Sequence, residues 1–148
     1  GETYKFLEKY LDGKKIFLDE NYSFEFDGEI EEDLVNLKRG VIPLESGGNI
    51  IIEKTRAMTV VDVNGLGDKN FLETNREAVR ETLRAIDVLN LNGIVVVDAI
   101  TMNKKDEKLL AEFVEDELKS HSKIKFHGIT KLGLLEFTKS AITVDISR

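Results

Sequence analysis

Two stretches of the sequence follow the same plan and decide the predicted fold. The first, AMTVVDVNG at residues 57–65, is a largely apolar, β-branched run that ends at Asp62 and Asn64. The second, GIVVVDAIT at residues 93–101, is another apolar run, and it ends at Asp98. Both runs have the length and the residue types of buried strands. Each predicted strand therefore carries an aspartate at the point where the strand ends.

The segment between these strands predicts their arrangement. Residues 71–89 have the spacing of an amphipathic helix. Its apolar stripe contains Leu72, Val79, Leu83 and Ile86. A strand, a helix and a second strand imply a right-handed crossover with parallel pairing, which places the carboxyl ends of both strands at one edge of the sheet, where ligands bind. If the two strands are neighbours, Asp62 and Asp98 are expected to lie side by side.

The rest of the chain predicts an α/β fold with α+β character at the N-terminus and a mixed, partly parallel sheet with flanking helices. The other predicted elements are a helix at 2–11, strands at 15–18 and 22–26, a short helix after Asp27 that ends at Gly40, a hairpin of 49–54 with 57–63, a helix at 105–119, a strand at 124–127 and one or two strands within 132–146. The helix at 105–119 is expected to bury Leu109, Leu110, Phe113, Val114 and Leu118. The near-continuous apolar content of 57–63 predicts a strand covered on both faces.

The length and composition indicate one soluble domain. We expect a single domain over residues 1–148, with an N-terminal helix/strand/helix extension at 1–45 and a core at 46–148. No apolar run reaches the roughly 20 residues of a membrane span, and the N-terminus does not resemble a signal peptide. The absence of cysteine excludes disulfides and Cys-ligated zinc, and it is compatible with a cytoplasmic location. The net charge of −7 works against binding to a phosphate backbone, so nucleic-acid binding must be argued from a site.

The two strand-end aspartates point to a metal site when they are taken together. Taken singly, each is explained as a residue that caps a strand and starts a turn. As a pair at about 4 Å, they repel by about 4 kcal/mol at an effective dielectric constant near 20, and a shared proton or a bound cation must offset this. Carboxylate oxygens suit Mg²⁺, which completes its coordination with water and phosphate. Asn64 is expected to hydrogen-bond the carboxylate of Asp62 and so fix its direction.

Four segments, in order along the chain, resemble the catalytic core of the RNase E/RNase G endoribonucleases. They are SGGNIIIEKTRAMTVVDVN at 46–64, ETNREA at 73–78, NGIVVVDAITM at 92–102 and LGLLEFTK at 132–139. The resemblance implies a DNase I-like subdomain that hydrolyses single-stranded RNA to 5′-phosphate and 3′-hydroxyl ends. It implies that Asp62 and Asp98 bind Mg²⁺, with Mn²⁺ as a substitute, and that Asn64 orients Asp62 and positions the scissile phosphate. Lys131 stands where the family usually has an arginine, which implies a phosphate contact.

Departures from the family pattern leave alternatives open. Without cysteine the chain cannot form the zinc-link that joins protomers in the family, and its oligomeric state stays open. The chain fits a divergent branch, such as the archaeal AU-rich RNA-binding relatives of RNase E, or a catalytic core cut from a longer protein, for which weak activity is expected. The main alternative function is an RNA-binding or regulatory module of the same fold with little or no cleavage. A weaker alternative is a Mg²⁺-dependent phosphatase that uses the same two carboxylates.

Overall fold

The computed structural model describes residues 40–67 and 70–140, and the elements predicted before Gly40 and after Ser140 lie outside the described residues. The described part contains six strands and two α-helices. They are β1 (Val41–Pro43), β2 (Asn49–Lys54), β3 (Thr59–Asn64), α1 (Phe71–Val88), β4 (Gly93–Asp98), α2 (Lys104–Glu117), β5 (Ile124–Ile129) and β6 (Leu134–Lys139), with a short 3₁₀ helix (Leu118–Ser120) after α2.

The six strands form one mixed sheet in the order β1-β2-β3-β4-β6-β5. Strands β3 and β4 are parallel neighbours, joined through α1, and the other adjacent pairs are antiparallel. The predicted α/β fold with a partly parallel sheet is therefore confirmed. The β2–β3 hairpin is also confirmed, and its turn is closed by the N–H of Thr55, which donates to the carbonyl of Met58 at 2.8 Å.

The helices cover one face of the sheet. On that face Val61, Val97 and Leu135 are partners across three neighbouring strands, and none is more than 1% exposed. Helices α1 and α2 pack against each other above them and contribute the fully buried Leu83 and Val114. The alternate side chains of these strands point to the opposite face. Cover on both faces was predicted for β3, and the described residues supply it on one.

Asparagine side chains start both helices. The side-chain oxygen of Asn70 accepts from the N–H of Glu73 at 3.2 Å, and that of Asn103 accepts from the N–H of Asp106 at 2.8 Å, as N-cap residues do. Helix α2 buries Leu110 fully, but the predicted burial of Leu109 is wrong, since its side chain is 36% exposed. Successive residues point about 100° apart around a helix, so a narrow buried stripe includes only one of the two.

Two features of the sheet were not predicted. Strand β1 pairs antiparallel with β2 at the edge of the sheet. Strand β5 continues to Ile129 through an irregularity between Phe126 and Gly128, where Gly128 has φ +105°. An extra residue in one strand lets the pairing with β6 continue past a local bend.

Neither described helix combines the length and the apolar character that a membrane crossing needs.

Candidate active site

The structure places Asp62 and Asp98 directly opposite each other on the parallel pair β3 and β4. Adjacent strands lie about 4.8 Å apart, and side chains at paired positions of a parallel pair point to the same face. Both aspartates are exposed, whereas their neighbours Val61 and Val97 are buried under the helices. The two carboxylates therefore share the sheet face that the helices leave open. The prediction that they lie side by side is confirmed.

The backbone around Asp62 is fixed by the core beneath it. Val61 and Val63 flank the aspartate and are 0% and 6% exposed, which anchors the strand on both sides of the carboxylate. Strand β3 is hydrogen-bonded between β2 and β4, and Ile51 is the partner of Asp62 on the β2 side. Asp62 thus projects from a strand inside the sheet rather than from a loop.

The backbone just after Asp98 is held by a buried side chain that was not predicted from the sequence. The amide of Asn75 on α1 donates to the carbonyl of Ile100 at 3.0 Å and accepts from the N–H of Ile100 at 3.0 Å. Asn75 is 0% exposed. The one signal in the sequence is its place on the apolar stripe of the helix, between Leu72 and Val79, where an amide must find partners. We regard Asn75 as a positioning residue for the segment that follows Asp98.

Asn64 is oriented by a different partner from the one predicted. It lies at the end of β3, opposite Asn49, and its Nδ2 donates to Oδ1 of Asn49 at 3.1 Å. Within residues 40–67 and 70–140 no hydrogen bond joins Asn64 to the carboxylate of Asp62, so that part of the prediction is wrong. Asn64 and Asp62 are two residues apart on one strand and share its open face. The amide therefore stays available to a ligand at this edge.

Lys131 lies at the same edge of the sheet, in the turn between β5 and β6. Strand β6 begins at Leu134, which is the partner of Asp98 in β4, so the turn stands next to the carboxylate pair. Lys131 is exposed and has no ion pair or hydrogen bond to any other described residue. Its ammonium group is therefore free to contact an anion.

The donor set of this edge is limited to oxygen. Among the described residues no group of three or more His, Cys, Asp or Glu side chains could hold a metal ion. Neither Asp62 nor Asp98 has an ion pair or hydrogen-bonded partner in that part of the chain. A divalent cation here would receive two carboxylates at most from these residues. Its other positions would have to be filled by water or by a ligand.

The two histidines have structural partners away from this edge. Nδ1 of His121 lies 2.5 Å from Oδ2 of Asp87, and Lys139 is within 3.5 Å of the other oxygen of the same carboxylate. Nε2 of His127 lies 2.7 Å from the hydroxyl of Thr138. Neither arrangement brings a histidine to Asp62 or Asp98.

Comparison with known proteins identifies a family that this chain resembles. A sequence model of the ribonuclease E/G family matches residues 4–142. The chain is 31% identical over 130 residues, 80% of the chain, to a chloroplastic ribonuclease E/G-like protein of Arabidopsis thaliana. It is 32% identical over 120 residues, 75% of the chain, to ribonuclease G of Salmonella typhimurium, and 35% identical over 107 residues, 66% of the chain, to that of Haemophilus influenzae.

The matched region is a small part of each relative. It spans 13% of the Arabidopsis protein, 24% of the Salmonella protein and 22% of the Haemophilus protein. The family model nevertheless covers nearly all of this chain, from the N-terminal residues through β6. The chain therefore belongs to the ribonuclease E/G family.

Proposed function

We propose that this chain is a Mg²⁺-dependent endoribonuclease core that hydrolyses single-stranded RNA to 5′-phosphate and 3′-hydroxyl ends. One observation carries the proposal: in a member of the ribonuclease E/G family, Asp62 and Asp98 are register partners at the ends of parallel strands. Relatives that are 32% and 35% identical over this region are named ribonuclease G, which supports RNA as the substrate. Mn²⁺ is expected to substitute for Mg²⁺.

The residues present fit a Mg²⁺ ion. Mg²⁺ prefers oxygen ligands, keeps several waters and is commonly held by one or two carboxylates together with substrate phosphate. The paired carboxylates supply that number, both are exposed, and neither is neutralised by a described cation. Zn²⁺ is a poorer fit, because catalytic zinc sites use three protein ligands that include His or Cys. A two-carboxylate site leaves positions open for a phosphate oxygen and for water.

Each polar residue at this edge has a distinct role in the proposed reaction. Asp62 and Asp98 would hold the ion from strands inside the sheet, which would fix the orientation of the reacting groups. Asn64 has a second N–H hydrogen besides the one it gives to Asn49, and it donates this hydrogen to the scissile phosphate. Lys131 contacts a phosphate of the RNA. When bound, Mg²⁺ supplies activation of the attacking water and offsets the charge that builds on the phosphate oxygens.

The proposal is tested by cleavage of an end-labelled, AU-rich single-stranded RNA with Mg²⁺ or with EDTA. The parent is compared with Asp98→Asn and with Asp116→Asn, a control that removes a carboxylate whose side chain is 76% exposed on the last turn of α2. Cleavage should require Mg²⁺, survive in the control and disappear in Asp98→Asn. The products should carry 5′-phosphates, detected as ends that a kinase labels only after phosphatase treatment. Cleavage by Asp98→Asn at the parental rate would show that the site is assigned wrongly.

The same experiment separates the two rival functions. An RNA-binding module would retain the RNA in a filter assay, with or without Mg²⁺, and cut none of it. Its binding would be unchanged by Asp62→Asn. A phosphatase would release phosphate from small phosphomonoesters in a reaction that depends on Asp98, and it would leave the RNA intact.

A further inference from the structure

A small cleft lies at the same edge of the sheet as the carboxylate pair, next in sequence to Asp98 and to its strand partner Leu134. One wall is the segment 99–102 that follows Asp98, and the other is the β5–β6 turn at residues 131–133. The two walls begin one residue from Asp98 and one residue from its strand partner Leu134. The cleft has a volume of about 90 Å³, which is room for a handful of water molecules. Leu135, which faces the helices, and Glu107 of α2 also line the cleft. The cleft therefore lies on the helix-covered side of the sheet edge, and the carboxylates lie on the open side of the same edge.

The β5–β6 turn places an unusually exposed leucine, Leu132, at the mouth of this cleft. Leu132 is 87% exposed, and the next most exposed large apolar side chain of the described residues is Leu66 at 49%. The turn is closed by three hydrogen bonds. The N–H of Thr130 donates to the carbonyl of Leu134 at 2.8 Å, and the N–H of Gly133 donates to the carbonyl of Thr130 at 2.9 Å. The N–H of Leu134 donates to the hydroxyl of Thr130 at 3.1 Å. Leu132 is thus presented to solvent by a hydrogen-bonded turn.

The groups around the cleft match one kind of ligand. The walls are apolar at Ile100 and Met102, and the polar side chains of Thr101 and Glu107 line the same cleft. Lys131 adds an ammonium group with no partner among the described residues. A flat, apolar-faced group with hydrogen-bonding edges and an attached anion would use all three features. A nucleobase and its phosphate have this chemistry.

We infer that this cleft binds one unpaired nucleobase of single-stranded RNA next to the scissile phosphate, with Leu132 covering the face of the base. The inference rests on the proposed function for the identity of the substrate. Apolar contact with a base face tolerates every base, so the cleft recognises an unstacked nucleotide more than a sequence.

The test measures the binding of a set of RNA oligonucleotides that each carry one abasic nucleotide at a different position. Dissociation constants are measured in EDTA, so that the RNA stays intact, for the parent and for Leu132→Ser. The matched control is Leu109→Ser, which replaces another exposed leucine, on α2 and outside the cleft. Cleavage of the intact RNA in Mg²⁺ is measured in parallel for all three proteins.

The expected result is a dependence on one nucleotide position that disappears with Leu132. The dissociation constant of the parent should rise about fivefold for the abasic site at that position, and Leu109→Ser should behave like the parent. Leu132→Ser should bind intact RNA about fivefold more weakly and show no further loss at that position. Equal binding of every oligonucleotide by the parent and Leu132→Ser would overturn the inference, and a change in oligomeric state alone would point to a protein occupant.

The parallel cleavage measurement keeps the two proposals apart. If the parent cuts RNA and Leu132→Ser cuts it equally well, with unchanged binding, the nuclease proposal stands and the base cleft is refuted. If binding shows the Leu132-dependent position but the parent does not cut RNA, the cleft is supported and the nuclease proposal fails. If the parent neither binds nor cuts RNA, both proposals are refuted.

Discussion

Replacement of Asn75 by alanine tests how far the geometry beside Asp98 depends on a single amide. The change removes two hydrogen bonds of 3.0 Å to the backbone of Ile100. A net hydrogen bond contributes about 1 kcal/mol, and a buried group that is left unsatisfied costs roughly 1–3 kcal/mol. Asn75 is 0% exposed, and both backbone groups of Ile100 lose their partner. We therefore expect the free energy of unfolding to fall by about 2–4 kcal/mol.

Asn75→Ala should lower the rate of RNA cleavage by more than it lowers the fraction of folded protein. A displacement of about 1 Å at a reacting group can lower a rate about 10²-fold, so kcat of the folded fraction should fall tenfold or more. KM should rise as well, because the released Ile100 lines one wall of the proposed base cleft. The stability is measured by urea unfolding, and kcat and KM are measured at a temperature where the variant is folded.

The matched control for Asn75→Ala lies on the same helix. Thr82 is 1% exposed, and its hydroxyl donates to the carbonyl of Ala78 within α1 at 2.7 Å, so Thr82→Ala removes a buried hydrogen bond without touching Ile100. It should lower stability by about 1 kcal/mol and leave kcat unchanged. If Asn75→Ala cuts RNA as fast as Thr82→Ala per folded molecule, the amide does not position the segment after Asp98.

Three further predictions concern the same edge. Mg²⁺ at ten times its dissociation constant should raise the free energy of unfolding of the parent by about 1.4 kcal/mol and that of Asp98→Asn by much less; an equal rise in both by thermal melting would place the ion elsewhere. Gly48→Ala should lower the melting temperature and the cleavage rate together, because an added Cβ would lie 2.2 Å from the carbonyl oxygen of Asn64; a parental melting curve would contradict this. Lys131→Ala should raise KM and lower the salt dependence of RNA binding by about one phosphate contact. Lys131→Arg should keep the parental KM and the parental salt dependence. An unchanged salt dependence in the alanine variant would show that Lys131 does not contact the RNA.

The side-by-side arrangement of Asp62 and Asp98 could be predicted from the sequence because local rules determine it. Two apolar runs separated by one amphipathic helix leave little choice but a right-handed crossover, and the aspartates at the ends of parallel strands then meet at one edge. The observed register of Asp62 with Asp98 follows from that rule. The helix predicted at 71–89 from its amphipathic spacing also agrees with α1 to within one residue, since α1 ends at Val88.

What the sequence could not supply depends on contacts between distant segments. Strand β6 lies between β4 and β5 in the sheet, and this order depends on tertiary contacts that no local sequence pattern predicts. Strand β1 has three residues and includes Pro43, so it carries neither a period nor the usual residue types of a strand. The partner of Asn64 lies across the hairpin at Asn49, and an isolated segment gives no reason to prefer it to Asp62.

The acidic character of the chain and the proposed RNA substrate are reconciled at the carboxylate pair. A net charge of −7 offers no long-range attraction to a phosphate backbone, so affinity has to arise from short-range contacts. A divalent cation held by Asp62 and Asp98 reverses the sign of the local charge where the scissile phosphate would lie. The described residues offer at most two carboxylates, so a phosphate oxygen of the RNA would be a further ligand of the metal. Bound metal would then raise the affinity of the protein for RNA, and bound RNA would raise its affinity for the metal by the same factor. The bound metal would then add to the affinity for RNA at the place where cleavage would occur, within a chain that is otherwise acidic.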